Sequence, residues 1–74
     1  MRQTTERHYL HFNNREGREV EMYEVIKMEG QYWRNYTDKG GAPWIKFMEV
    51  DGTEHTKKLG GLQWSFGIKV ETLH

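Results

Sequence analysis

A run of alternating apolar residues near the end of the chain constrains the fold most strongly. Large apolar side chains occupy every second position from 62 to 70, and the residues between them are polar or small. A repeat of two over this length is typical of a β-strand with one buried and one solvated face, and such strands occur mostly in antiparallel sheets. The run therefore predicts a β-rich, antiparallel protein whose core includes Leu62, Trp64, Phe66, Ile68 and Val70.

The length of the chain and its aromatic content indicate how such a core is built. With 74 residues the chain forms one domain, 1–74, and a domain of this size buries only about 60% of its unfolded surface. It has no Cys, so neither disulfides nor a thiolate metal site can stabilise it. It does have three Trp, four Tyr and three Phe. Each buried ring removes about 150–250 Å² from water, so we expect aromatic side chains to supply most of the core.

The charge balance and the N-terminal sequence bear on partners and location. Eleven basic residues are balanced by eleven acidic ones, which weighs against a general nucleic-acid binder. No apolar stretch approaches the roughly 18 residues that span a bilayer, so we expect no membrane insertion. The polar segment 1–7 has no apolar region after it, so we expect it to be frayed rather than to act as a secretory signal. We expect a cytoplasmic protein.

Turn residues divide the rest of the chain into short strands. Segments 13–17, 38–41 and 51–52 combine Asn or Asp with Gly, residues that tolerate positive φ. At 51–52 a two-residue loop would place Lys46 opposite Lys57, whereas a three-residue loop with Gly52 in the left-handed region places Lys46 opposite Thr56. Like charges opposite each other destabilise a strand pair, so we predict the three-residue loop.

Segment 19–29 is the ambiguous part of the sequence. As a strand it has one apolar face that Glu24 interrupts, and a bulge near 23–24 would restore the alternation. As a helix it has apolar residues at a spacing of three up to Ile26, and Gly30 stands where a helix would end. The hairpin-like turn before it favours the strand. The predicted fold is an all-β antiparallel meander of about five to six strands, as a twisted sheet or small barrel, or β-rich α+β if 19–29 is helical.

No catalytic, cofactor-binding or metal-binding pattern is present. His8 and His11 would point to opposite faces of a strand, and His55 and His74 stand alone, so we expect ordinary surface or rim histidines. Ser65 is the only serine and has no nucleophile motif around it. The glycine pairs match no phosphate-binding fingerprint. We therefore predict a protein that is not an enzyme and holds neither a cofactor nor a metal.

One group of aromatic and basic side chains is a candidate partner-binding surface. These side chains occupy alternate positions of a predicted strand at 32–36, one position in the turn at 38–41, and one face of the next predicted strand at 44–46. Trp, Tyr and Arg dominate protein-binding hot spots, but rings between cations also bind single-stranded nucleic acid, and the same rings could instead line the core while the cations extend from its rim. The candidate residues are Tyr32, Arg34, Tyr36, Lys39, Trp44 and Lys46.

These observations favour a small protein-binding module, such as an accessory or inhibitory protein that docks on a larger partner through the aromatic face or a strand edge. Single-stranded nucleic-acid binding by the same face is the alternative. An unpaired strand edge and a net charge near zero also lead us to expect homodimerisation.

Overall fold

A computed structural model describes residues 3–73, and it contains six strands and no helix within that range. Segment 19–29 is therefore not helical: residues 19–26 form a strand, as the preceding turn indicated, and the prediction of a small all-β antiparallel meander is confirmed. The strands are β1 (Gln3–Asn13), β2 (Glu19–Ile26), β3 (Trp33–Thr37), β4 (Pro43–Glu49), β5 (Glu54–Lys58) and β6 (Gln63–Leu73).

The strands form one antiparallel sheet that curls into a half-barrel. The order along the sheet is β3-β4-β2-β1-β6, and β5 pairs with β4 on the edge opposite β3. The end of β4 also joins the two halves of the sheet, because Met48 and Glu49 pair with Ile26 and Val25 of β2. Among residues 3–73, β6 pairs with β1 alone.

The concave side of the half-barrel holds the core. Phe12 lies with its ring 5.6 Å from Phe47 and 6.1 Å from Tyr23, the latter edge-on. Burying an apolar side chain of this size contributes about 1.5–3 kcal/mol relative to exposure. The fully buried side chains are Leu10, Phe12, Val25, Ile45 and Phe47, and the half-buried ones packed on them are Tyr23, Tyr32, Trp33, Leu59, Trp64 and Phe66.

Aromatic side chains, rather than backbone hydrogen bonds, connect the two ends of the curled sheet. Trp33 at the start of β3 meets Trp64 of β6 edge-on, with ring centres 4.9 Å apart. Its ring also lies 5.1 Å from that of Phe66. Such aromatic pairs contribute about 0.5–1.5 kcal/mol beyond the area they bury. These contacts hold β3 and β6 near each other although the two strands do not pair.

The turns follow the chemistry of their residues. Asn14 accepts hydrogen bonds through Oδ1 from the backbone N–H groups of Glu16 and Arg18, at 3.0 and 2.9 Å. In the loop after β4, the N–H of Glu49 donates to the carbonyl of Thr53 at 2.9 Å, and Gly52 has φ of 91°. Lys46 lies opposite Thr56. The predicted three-residue loop and its register are therefore confirmed.

No bulge lies near 23–24, where one would have restored the alternation. The register of β1 and β2 shifts at the start of β2 instead, beside Asn13. Val25 is buried and Tyr23 packs on the core, whereas Met22 and Ile26 are exposed on the convex side. Glu24 therefore does not interrupt a buried face, because the face that it shares with Met22 and Ile26 is the outer one. Tyr23, which packs on Phe12 and Phe47, and Val25 form the inner side of β2.

The predicted core is correct for only part of β6. Trp64 and Phe66 are half-buried and pack on the core, but Ile68 and Val70 are 56% and 58% exposed. The reason is that β2 pairs with β1 only as far as Tyr9, so the ribbon beyond that point has only two strands. We call residues 3–8 of β1 and 68–73 of β6 the terminal arm.

The first residues of the chain also differ from expectation. Residues 3–7, which we expected to be frayed, pair with 69–73 of β6 in a continuous antiparallel register. Residues 1 and 2 of that segment lie outside the described residues. The polar composition of 1–7 led to the prediction of fraying, and it did not reveal that a complementary strand lies at the other end of the chain.

Candidate interaction face

Four of the six candidate residues lie together on the convex side of β3 and β4. Arg34 is directly opposite Lys46, and Tyr36 is directly opposite Trp44. The rings of Tyr36 and Trp44 are nearly parallel at 16°, with centres 6.2 Å apart. Tyr36 is 42% exposed and Trp44 is half-buried, and neither ring belongs to the core cluster. We call the convex surface of β3, β4 and β5 the outer face.

Hydrogen bonds fix the position of the Trp44 ring. Its indole Nε1–H donates to Oδ2 of Asp38 at 2.7 Å. The other oxygen, Oδ1 of Asp38, accepts from the backbone N–H groups of Gly40 and Ala42, each at 2.9 Å. The bond from Trp44, followed by those from the turn, lowers the pKa of Asp38. The β3–β4 turn thus holds the tryptophan through one carboxylate, and the ring needs little further ordering to bind a partner.

Acidic neighbours accompany the two central cations of the outer face. Arg34 forms an ion pair with Glu29 in the β2–β3 connection. Lys46 Nζ lies 3.5 Å from Oε2 of Glu54 on β5. Both pairs are substantially exposed, and exposed pairs contribute only about 0–1 kcal/mol, so they affect charge more than stability. The centre of the face is therefore close to neutral.

The other two candidate residues lie elsewhere. Tyr32 precedes β3 and turns toward the concave side, where its hydroxyl is 3.0 Å from Nε2 of His8 and its ring is 4.9 Å from that of Phe66. The prediction that Tyr32 shares a face with Arg34 is therefore wrong, because the strand begins only at Trp33. Lys39 is exposed in the β3–β4 turn, at the end of the outer face.

Three residues on or beside the outer face were not among those predicted from the sequence. Lys58 of β5 lies directly opposite Trp44, and the register predicted from the 51–52 turn already implied that pairing. Met48 and Ile26 lie opposite each other and extend the face with apolar surface. No local signal places Ile26 there, because β2 and β4 are far apart in sequence and meet only in the folded sheet.

A polar cluster lies at the rim of the core between β2 and β5. Oε2 of Glu21 accepts hydrogen bonds from Lys57 Nζ at 2.6 Å and from the hydroxyl of Tyr23. The bond from Lys57, then that from Tyr23, lowers the pKa of Glu21. Bonding to Glu21, then burial, raises the pKa of Tyr23 to about 12. Both shifts move these groups away from neutral pH, opposite to what acid–base catalysis requires.

The histidines occupy separate environments. His8 faces the concave side, and Nδ1 of His11 on the convex side lies 2.5 Å from Oε1 of Glu19. His55 stacks on Phe47 at 5.1 Å, and its buried Nε2 lies 3.5 Å from Oε1 of Glu49 without a hydrogen bond to any described residue. Within residues 3–73 no three His, Asp or Glu side chains are grouped as metal ligands. The prediction for His74 lies outside the described residues.

Two surface depressions lie away from the outer face. One of about 300 Å³ is lined by Gln31, Tyr32 and Trp33. The other, of about 340 Å³, lies on the convex side where the terminal arm begins, and Gly67, His11 and Met22 contribute to it. Polar groups of Tyr9 and Lys69 also line the second depression.

In the described part of the chain, no helix is long and apolar enough to cross a bilayer. The strands that carry the outer face are joined by short turns whose side chains and backbone are hydrogen-bonded, so the face lies on rigid elements.

Compared with known proteins, the chain matches no family model, no curated protein and no solved structure.

Proposed function

We propose that this chain is a small, non-enzymatic protein-binding module that docks on a larger partner through its outer face. The observation that carries the proposal is the cross-strand pair of exposed Tyr36 and half-buried Trp44 on the convex side, whose tryptophan is held by Asp38. Aromatic anchors that are already ordered bind with little loss of side-chain entropy. Arg34 beside them adds the third residue type that dominates hot spots.

The charge around the aromatic pair favours a protein over a polyanion. Arg34 and Lys46 each have an acidic neighbour, Glu29 and Glu54, so much of their charge is already compensated. A phosphate backbone would have to compete with these carboxylates for the cations. A protein partner with apolar and mixed polar groups meets no such competition, and it can also cover the adjacent apolar surface of Met48.

Single-stranded nucleic acid remains the second candidate because of one specific observation. Lys58 lies opposite Trp44, and an exposed Lys39 lies in the turn that joins β3 to β4. An unpaired base could stack on such a ring while the cations bind its phosphates, and stacking of this kind contributes about 1–3 kcal/mol per base.

The first experiment captures partners from the native host lysate with the tagged chain, in two portions, one treated with nuclease. A partner protein recovered equally from both portions, and lost when Tyr36→Ala and Arg34→Ala are combined, supports the proposal. The matched control is Glu16→Ala, an exposed change in the β1–β2 turn, which should retain the partner. If the double variant and the unchanged chain capture the partner equally well, the outer face has no role in binding.

Salt dependence separates the two candidates directly. We expect fluorescence anisotropy of a labelled single-stranded oligonucleotide to show weak binding or none. We expect moderate salt to have little effect on the affinity for the captured protein partner. If the oligonucleotide instead binds tightly at low salt and its affinity falls steeply as salt rises, counterions are being released from phosphates. That outcome would replace the protein-binding proposal with the nucleic-acid one.

A further inference from the structure

We propose that the terminal arm pairs with the arm of a second copy of this chain, with β6 antiparallel to β6 about a two-fold axis at Val70. The terminal arm is a different surface from the outer face, so this dimer does not depend on the proposed function. It would join two half-barrels through one continuous sheet and leave both outer faces free.

The arm has an open edge and uncovered apolar side chains. Its two strands pair only with each other in the described residues, so the far edge of β6 has no partner strand. Isolated two-stranded ribbons are only marginally stable in water. On the side continuous with the core, Ile68 and Val70 are more than half exposed. A further strand along β6 would satisfy the edge and cover part of both side chains.

The sequence of the arm is complementary to itself in one register. With the axis at Val70, the two copies of Val70 meet, Ile68 lies opposite the partner's Thr72, and Lys69 lies opposite the partner's Glu71. An axis at Lys69 or at Glu71 would instead bring two like charges directly opposite each other, which is unfavourable. The register at Val70 therefore combines an apolar contact on one face with two opposite-charge pairs on the other.

Within one chain, Lys69 shares the carboxylate of Glu71 with Arg7, so Lys69 can pair with a further carboxylate from the partner. Arg7 and Lys69 lie directly opposite each other on β1 and β6, an unfavourable pairing of cations. Glu71 lies 3.9 Å from Arg7 and 3.8 Å from Lys69, so one carboxylate serves both. Glu24 lies 3.9 Å from Arg7 and not beside Lys69. The partner's Glu71 would supply Lys69 with a carboxylate of its own.

The two half-barrels would not collide in such a dimer. The paired segments are those that extend beyond β2, so each half-barrel lies past the opposite end of the joined arms. The contact involves one strand edge and a few side chains, which is small compared with the roughly 1,600 Å² of a standard interface. We therefore expect a weak, concentration-dependent dimer.

The test is sedimentation equilibrium of the full chain over a wide range of concentrations. The unchanged chain should pass from monomer to dimer as its concentration rises. Lys69→Glu should weaken dimerisation about tenfold or more, because it sets two pairs of carboxylates opposite each other across the axis. The same substitution places a carboxylate opposite Arg7 within the chain, so the monomer should remain folded by circular dichroism.

Two rescues test the register itself. The combined swap Lys69→Glu with Glu71→Lys should restore dimerisation, and so should mixing a Lys69→Glu chain with a Glu71→Lys chain. Lys58→Glu, the same charge change on β5, should leave the dimer unaffected. A chain that stays monomeric throughout, a Lys69→Glu variant that dimerises as the unchanged chain does, or a swap that restores nothing would each overturn the proposal.

Discussion

The two halves of β6 carry the same sequence pattern and have different environments. Trp64 and Phe66 lie in the half-barrel, where Trp33 packs on both. Ile68 and Val70 continue the alternation on the same side of the strand and are more than half exposed. The strand, its pleat and its pairing with β1 are continuous across this boundary. Alternation therefore tells which side of a strand is apolar, and the extent of the neighbouring elements decides whether that side is covered.

The largest expected difference in the free energy of unfolding is between a substitution in the core of the half-barrel and one in the arm. Phe12→Ala removes a ring that is fully buried against Phe47 and Tyr23, and we expect a loss of about 3–5 kcal/mol in the free energy of unfolding. Val70→Ala should change it by about 0.5 kcal/mol or less, because Val70 is largely exposed. Urea denaturation of dilute protein measures both. Equal losses would show that the arm is packed as tightly as the core.

An intermediate effect is expected on the buried half of β6. Trp64→Ala should destabilise the fold by about 2–3 kcal/mol, less than a fully buried ring, because Trp64 is only half-buried. It would also remove the edge-on contact with Trp33. Thermal unfolding followed by circular dichroism provides the measurement. An unchanged melting temperature would mean that side chains do not connect the two ends of the sheet.

The polar rim of the half-barrel gives a smaller effect that depends on pH. The pKa of Tyr23 is raised from 10.0 to about 12 by its bond to Glu21, so the protonated phenol stabilises the folded state. That contribution is complete below the unfolded value and is lost as the pH rises toward 12. Tyr23→Phe should cost about 1 kcal/mol at neutral pH.

Ultraviolet titration tests this assignment directly. The tyrosinate absorbance of the unchanged chain minus that of Tyr23→Phe should appear near pH 12. The stability difference between the two proteins should shrink as the pH approaches that value. A difference spectrum that titrates near the ordinary pKa of 10.0 would contradict the hydrogen bond between Tyr23 and Glu21.

The smallest effect is expected at Gly67, where the half-barrel meets the arm. An added Cβ would lie 3.6 Å from Nε2 of His11, an ordinary contact, and no positive φ is required there. Gly67→Ala should therefore stabilise the chain by about 0.5 kcal/mol, since it restricts the unfolded state. Gly61→Ala is the control and should destabilise, because φ is 96° and the Cβ would lie 2.7 Å from Nε of Arg15. Destabilisation by Gly67→Ala would indicate a bend that needs glycine.

The candidate site shows how far local patterns extend in this chain. Arg34, Tyr36, Trp44 and Lys46 share a face because alternation along β3 and β4 and the connecting turn together determine their placement. Tyr32 does not join them, since the chain leaves the strand geometry just before Trp33 and its ring packs on Phe66 instead. Whether a residue at the end of a strand follows the alternation depends on contacts with strands distant in sequence.

The sequence by itself determined the strands, most of the turns and the register across the loop at 50–52, because these depend on the period of two, on positive φ at glycine and on charges between neighbouring strands. Only the tertiary structure decided which apolar faces are covered. That outcome depends on β2 leaving β1 at Tyr9 to join β4, and on the pairing of β1 with β6 from opposite ends of the chain. Such contacts are fixed by the summed packing of the whole sheet, and no local segment contains that information.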